Sequence, residues 1–215
     1  MTRLPAPPLL LITDRQQAAR PLEGVVADAL VAGCRWVSLR EKDLPGADRR
    51  ALLRRLRALA RPVGAVVTVH ADAADADAGA ADEADGLHLA AVGDPAAARR
   101  RLGPAALIGA SCHSGAEVAA AIAAGADYVT LGPLAPTASK PGYAPTLSLA
   151  EAGAIARRHP GRVIALGGVE PALTPGLISA GFAGVAVMGG VMRAAAPGMV
   201  VAELLAALGQ TSETV

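Results

Sequence analysis

Between residues 38 and 43 the chain reads Ser38-Leu39-Arg40-Glu41-Lys42-Asp43. In an extended segment alternate side chains share a face, so Ser38, Arg40 and Lys42 would point together while Leu39 points away. Two cations beside a hydroxyl suit an oxyanion or phosphate clamp, because charge-assisted hydrogen bonds to phosphate are the strong kind. A surface ion pair with Glu41 or Asp43 is the other reading. A second polar cluster follows Gly132-Pro133 and runs Pro136-Thr137-Ala138-Ser139-Lys140-Pro141. There Thr137 and Ser139 can donate to a phosphate while Lys140 supplies charge; a plain Pro/Gly surface loop is the alternative. The pairs Gly167-Gly168 and Gly189-Gly190, the latter after Met188, let backbone approach a ligand closely.

The proton-transfer candidates are fewer. In Ser111-Cys112-His113-Ser114, residues Ser111 and His113 would share a face and Cys112 would oppose them, so Cys112 reads as a packed thiol rather than half of a nucleophile–base dyad. His113 is placed either to move a proton near neutral pH or to serve structure alone. His70 with Asp72 and His88 with Asp94 could contribute to a metal site, although no His-x-His or His-Glu-x-x-His spacing is present.

Groups of this kind need a scaffold that brings distant segments to one place. Eight β-prone runs recur, at Leu9–Thr13, Trp36–Arg40, Val66–His70, Gly86–Leu89, Leu107–Ser111, Tyr128–Gly132, Val163–Gly167 and Gly184–Met188, with helical stretches or short links between them. Strand, helix, strand implies parallel neighbours, and eight such units close into a barrel. No Gly-x-Gly-x-x-Gly turn follows the first run, which argues against an open dinucleotide-type sheet. The repeat Ala32-Gly33-Cys34, Ala124-Gly125-Ala126 and Ala180-Gly181-Phe182 places a helix-ending glycine before a strand three times. The fold class expected is therefore α/β, a single (β/α)₈ TIM barrel over residues 1–215, with about 9–208 ordered and the termini flexible. Every candidate above then lies at a strand end or in the loop after it, where such barrels carry function.

Composition removes several partner classes. The 215 residues are 53% hydrophobic with 24 glycines and a net charge of +1, so no global field favours nucleic acid or an anionic membrane. The aromatics are only Trp36, Tyr128, Tyr143 and Phe182, too few for a base-stacking surface. Cys34 and Cys112 form no CxxC pair, the start Pro5-Ala6-Pro7-Pro8 does not suit a targeting helix, and no long apolar run suits a membrane span. A cytoplasmic location is expected, with a small phosphorylated substrate as partner and homo-oligomerisation left open. The Ala/Asp-rich stretch Ala71–Ala84 reads as a solvated acidic helix, with a mobile lid as the alternative.

In this order the features resemble the thiamine phosphate synthase/TenI family of (β/α)₈ barrels over nearly the whole chain. The residues that carry the resemblance are Leu11-Ile12-Thr13-Asp14, Ser38 to Asp43, Asp85-Gly86-Leu87-His88-Leu89, Gly125 to Val129, Gly132-Pro133 through Lys140-Pro141, and Ala165 to Val169. The resemblance implies that Ser38, Arg40 and Lys42 meet a pyrimidine diphosphate, Ser111 the pyrimidine and Lys140 the pyrophosphate. It implies that Thr137, Ala138, Ser139, Gly168, Met188 and Gly189 cradle a thiazole phosphate.

The synthase branch joins a hydroxymethylpyrimidine diphosphate to a thiazole phosphate and holds Mg²⁺ through an Asn-Asp pair after the third strand and an Asp after the fourth. The matching positions here are His70-Ala71 and Gly93, with Asp72 and Asp94 each one residue beyond. The TenI branch lacks those carboxylates and isomerises a thiazole carboxylate phosphate, with a histidine at the place of His113. The resemblance thus implies a TenI-like thiazole tautomerase with His113 as acid/base and no required cofactor. Two alternatives stand beside it: a thiamine phosphate synthase using Mg²⁺, with Asp72 or Asp94 as ligands if their loops are shifted, and a non-catalytic binder of a phosphorylated thiamine precursor.

Overall fold

A computed structural model describes residues 4–71, 83–91, 93–135 and 147–209. Its strands are β1 (Leu9–Ile12), β2 (Trp36–Leu39), β3 (Val66–Ala71), β4 (Gly86–Leu89), β5 (Leu107–Cys112), β6 (Tyr128–Leu131), β7 (Val163–Leu166) and β8 (Gly184–Val187). They pair in parallel in chain order, and β8 closes on β1 to complete a (β/α)₈ TIM barrel. The helices among the described residues are α1 (Leu22–Val31), α2 (Gly46–Ala60), α3 (Pro95–Leu102), α4 (Gly115–Ala123), α5 (Leu149–Arg158), α6 (Thr174–Ser179), α7 (Gly189–Met192) and α8 (Pro197–Gly209). None of them is long and apolar enough to cross a membrane.

The helices start and stop where side-chain chemistry dictates. Asp94 and Ser114 accept a backbone N–H from the residue three ahead, capping α3 and α4, and Ser148 with Glu151 forms a reciprocal capping box on α5. On α2 the buried face is Leu52, Leu53, Leu56 and Ala60, the spacing of a helix lying on a sheet. Gly33, Gly125 and Gly181 have φ of 109°, 96° and 108°, values that side chains other than glycine rarely adopt. The Ala-Gly-x repeat therefore marks the same reversal three times.

Strand alternation divides the core in two. Leu9, Leu11, Val37, Leu39, Val67 and Val69 pack between sheet and helices, whereas Leu10, Ile12, Trp36, Leu107, Tyr128 and Ile164 fill the lower barrel interior. Trp36 meets Tyr128 edge-on, with centroids 4.6 Å apart. Toward the C-terminal ends the same interior face turns polar: Ser38, Thr68, His70, His88 and Thr130 are all buried. The apolar plug thus supports a polar floor beneath the barrel mouth.

Candidate active site

At the β2 end, the Thr13 hydroxyl accepts the Arg40 backbone N–H at 2.9 Å, tying β1 to β2. The Arg40 guanidinium lies 4.0 Å from the Asp14 carboxylate. Neither carboxylate proposed from the sequence as its partner holds it. The Glu41 carboxylate turns inward and accepts the Arg15 backbone N–H at 3.1 Å on each oxygen, while Asp43 pairs with the Arg15 side chain at 2.6 Å. Burial pushes the Glu41 carboxyl above the usual carboxylate range, against the hydrogen bonds from Thr13 and Arg15. Because β2 stops at Leu39, the alternation expected through Lys42 governs only its first part: Ser38 is buried, and Lys42 is exposed in the turn beyond the strand. Ser38 Oγ has no hydrogen-bond partner among the described residues.

The floor is wired through histidine. His88 Nδ1 lies 2.9 Å from the Tyr128 hydroxyl, and His88 Nε2 lies 2.9 Å from Ser111 Oγ and 3.4 Å from Thr130 Oγ1. His70 stacks on it at a tilt, with centroids 5.1 Å apart. Burial first, and the neighbouring His70 second, hold His88 well below the ordinary histidine range, so it is neutral near pH 7. Gly109 makes room for this arrangement, since a Cβ there would stand 2.1 Å from the Tyr128 ring.

His113 follows β5. Its backbone N–H donates to Glu117 at 2.7 Å, and its Nδ1 faces the Gly132 carbonyl at 2.5 Å. A carbonyl only accepts, so Nδ1 is the donor in this contact. Cys112 is buried and its thiol is pushed up to about 12, chiefly by desolvation, which agrees with a packed, unreactive thiol.

The late half of the mouth comes together at the β7 tip. Gly168 has φ of 67°, and a Cβ on it would stand 2.5 Å from the Ala135 Cβ, so the chain leaving β6 lies directly against this tip. Thr137, Ala138, Ser139 and Lys140 lie outside the described residues, as do Asp72, most of the Ala71–Ala84 stretch and the extreme termini. Met188 precedes α7 and Gly189 opens it.

Sequence reasoning missed Arg193. A Cβ on Gly189 would stand 2.3 Å from its guanidinium, so this arginine lies over the glycine assigned to the phosphate cradle. Arg193 donates to Gln17 Oε1, and Gln17 Nε2 donates to Asp14 at 2.5 Å. Asp14 in turn faces Arg40, so one short loop after β1 brackets the two halves of the mouth. The available signal was the spacing of Gly189 and Arg193, four residues apart at a strand end.

The described residues do not fit a Mg²⁺ site. Among them no three His, Cys, Asp or Glu side chains group together. His70 at the relevant strand end is an imidazole stacked on another, and Asp94 is engaged as the α3 cap, accepting from Ala97 N–H at 3.0 Å and facing Arg100 at 3.9 Å. A hard divalent cation prefers carboxylate and other oxygen donors.

A family model described as thiamine monophosphate synthase matches residues 9–191. A protein named putative thiamine-phosphate synthase from Geobacter sulfurreducens is 43% identical over 186 residues, which cover 86% of this chain and 86% of that protein. The thiamine-phosphate synthase of a Roseiflexus species is 36% identical, with 87% of this chain and 79% of that one covered. Among solved structures, thiamine phosphate pyrophosphorylase from Pyrococcus furiosus superposes with a TM-score of 0.80 at 28% identity, covering 95% of this chain and 96% of that one.

Proposed function

We propose that this chain, which belongs to the thiamine monophosphate synthase family, joins a hydroxymethylpyrimidine diphosphate to a thiazole phosphate. In that reaction the bond from the pyrimidine methylene carbon to the diphosphate oxygen breaks and pyrophosphate leaves with the bonding pair. The thiazole nitrogen lone pair forms the new carbon–nitrogen bond. The observation that carries the reading is the pairing of two anion-facing halves on one mouth: Arg40 at the β2 end, and Gly168 with Gly189 under Arg193 at the β7 and β8 ends. A condensation of two phosphorylated substrates needs both halves, whereas an isomerisation of one needs a single anchor. The synthase names of relatives that align over most of both chains also support it.

The chain's own groups divide the work. Arg40, steered by Asp14 and by the Thr13 anchor on its backbone, offers a guanidinium to the diphosphate, with Lys42 and Lys140 assigned to the same anion by resemblance. Ser38 and Ser111 line the floor for the pyrimidine ring. Gly168, Met188 and Gly189 hold the thiazole phosphate with Thr137 and Ser139, and Arg193 adds charge. Orientation of the two reactants is the main contribution such a mouth can make.

The thiazole tautomerase is the second reading. It is favoured by His113, which lies just beyond the β5 end with its Nδ1 donating to the Gly132 carbonyl, the place of the acid/base histidine that the resemblance implies. The deciding assay supplies both synthase substrates, with and without Mg²⁺, and measures pyrophosphate and thiamine phosphate. Formation of both products in equal amounts is expected. Binding of both substrates without either product, together with isomerisation of a thiazole carboxylate phosphate that is lost in His113→Ala, would replace the synthase reading by the tautomerase.

A further inference from the structure

The loop after β1 is fastened on both sides before it presents a side chain to the mouth. On the β2 side the Arg15 backbone N–H donates to both Glu41 oxygens at 3.1 Å, and Asp43 accepts from the Arg15 and Gln16 side chains at 2.6 and 3.0 Å. On the β8 side the Ala19 backbone N–H donates to the carbonyl of Met192, the residue before Arg193, at 2.9 Å. Between these anchors the chain turns on Asp14, whose carbonyl accepts the Gln17 N–H at 3.1 Å and whose carboxylate accepts the Gln16 N–H at 3.2 Å. Gln17 is thereby fixed beside Arg193, although 176 positions separate them in the chain.

The orientation of the Gln17 amide follows from its neighbours. A carboxylate only accepts and a guanidinium only donates, so the amide nitrogen faces Asp14, 2.5 Å away, and the amide oxygen faces Arg193. A neutral amide of this kind holds a cation without cancelling its charge. Arg15 and Arg40 nearby each face a carboxylate, whereas among the described residues none lies within ion-pair distance of Arg193. A glutamate in place of Gln17 would neutralise the guanidinium and set a second carboxylate against Asp14. The guanidinium lies over Gly189, where a Cβ would overlap it, so its charge is available to an anion at that glycine.

We propose that Gln17 is a positioning residue: it holds Arg193 across Gly189 as a cation with no carboxylate partner, aimed at the phosphate of the thiazole substrate. The ligand assignment rests on the placement of a thiazole phosphate at Gly168 and Gly189, which the synthase and tautomerase readings share; the hold on Arg193 does not.

Two measurements on the wild type, Gln17→Met, Arg193→Met and the double variant test it. Methionine removes the hydrogen bonds of each side chain, and neither position is in the core. In the protein without ligand, ¹⁵N relaxation of labelled arginine side chains reports the motion of the Arg193 Nε–H, which should be rigid in the wild type and mobile in Gln17→Met. Equal mobility in the two overturns the positioning role. Calorimetric titration with thiazole phosphate should show Arg193→Met weaker by about tenfold, the scale of one charge-assisted hydrogen bond, and Gln17→Met weaker by about threefold. The double variant should bind as Arg193→Met does, because Gln17 acts only through the guanidinium. Losses that multiply in the double variant, as a general effect on the loop would produce, overturn the proposal, and so does wild-type affinity in Arg193→Met. Failure of the wild type to bind thiazole phosphate would instead refute its placement at this cradle, with the motion of Arg193 still deciding whether Gln17 holds it.

Discussion

Gly168→Ala separates strain at the β7 tip from its effect on the ligand cradle. The residue has φ of 67°, and a left-handed conformation costs a residue with a Cβ about 1–2 kcal/mol. The added methyl would also stand 2.5 Å from the Ala135 Cβ, whereas carbon atoms rest about 3.5–4.0 Å apart, so one partner must retreat by roughly 1 Å. Forcing extra volume into packed surroundings costs about 1–3 kcal/mol. Gly168 sits on a barrel strand tip and Ala135 on a half-buried connection, so Ala135 is the one to yield. The two costs should therefore part company. Thermal unfolding should show mainly the backbone strain, a fall in Tm of about 2–4 °C per kcal/mol for a chain this size. The steric cost should emerge as a rise in KM for thiazole phosphate of about 5- to 150-fold, with KM for the pyrimidine diphosphate nearly unchanged. Equal KM values in wild type and variant, despite the expected loss in Tm, would refute the placement of thiazole phosphate at this tip.

Other perturbations give further checks. Asp94→Ala removes the α3 cap and should destabilise the protein by about 1 kcal/mol, measured by urea unfolding, with no change in any Mg²⁺ dependence of activity; a marked shift in the Mg²⁺ response would instead make Asp94 a ligand. Glu41 has a folded pKa raised by burial, so the folded state binds its proton more tightly than the unfolded chain. Its contribution is present below the unfolded pKa and is lost as pH rises through the folded one. Urea midpoints taken from about pH 4 to 7 should fall across that window in the wild type relative to Glu41→Gln, and parallel profiles would show that Glu41 is not the titrating group.

The barrel was legible because its signals are local. Eight short runs with a helix-ending glycine before three of them specify strand and helix almost residue by residue, and alternation alone sends Trp36 and Ser38 inward with Leu39 outward. What alternation cannot give is where a strand stops. Extending β2 through Arg40 and on to Lys42 set two cations on one face, whereas the strand ends at Leu39 and Lys42 lies exposed beyond it. Long-range partners were equally out of reach. Sequence spacing set His88 beside Asp94, whereas in the fold His88 meets Tyr128 forty residues away and Asp94 caps the helix that follows it. Arg193 over Gly189 depends on the short helix α7 turning its guanidinium back across the strand end, and its bond to Gln17 spans most of the chain.

The loop that links Arg40, Asp14, Gln17 and Arg193 also acts as a gauge. The barrel fixes the positions of the strand tips, but the reach between the two guanidinium groups is set by a few side chains on this one connection. Lengthening it by a residue, or replacing Gln17 by a shorter side chain, would change the separation of the two guanidinium groups while leaving every strand pairing intact. On the proposed synthase reading, the spacing between the two reactants is thus an adjustable dimension of a barrel whose walls stay fixed.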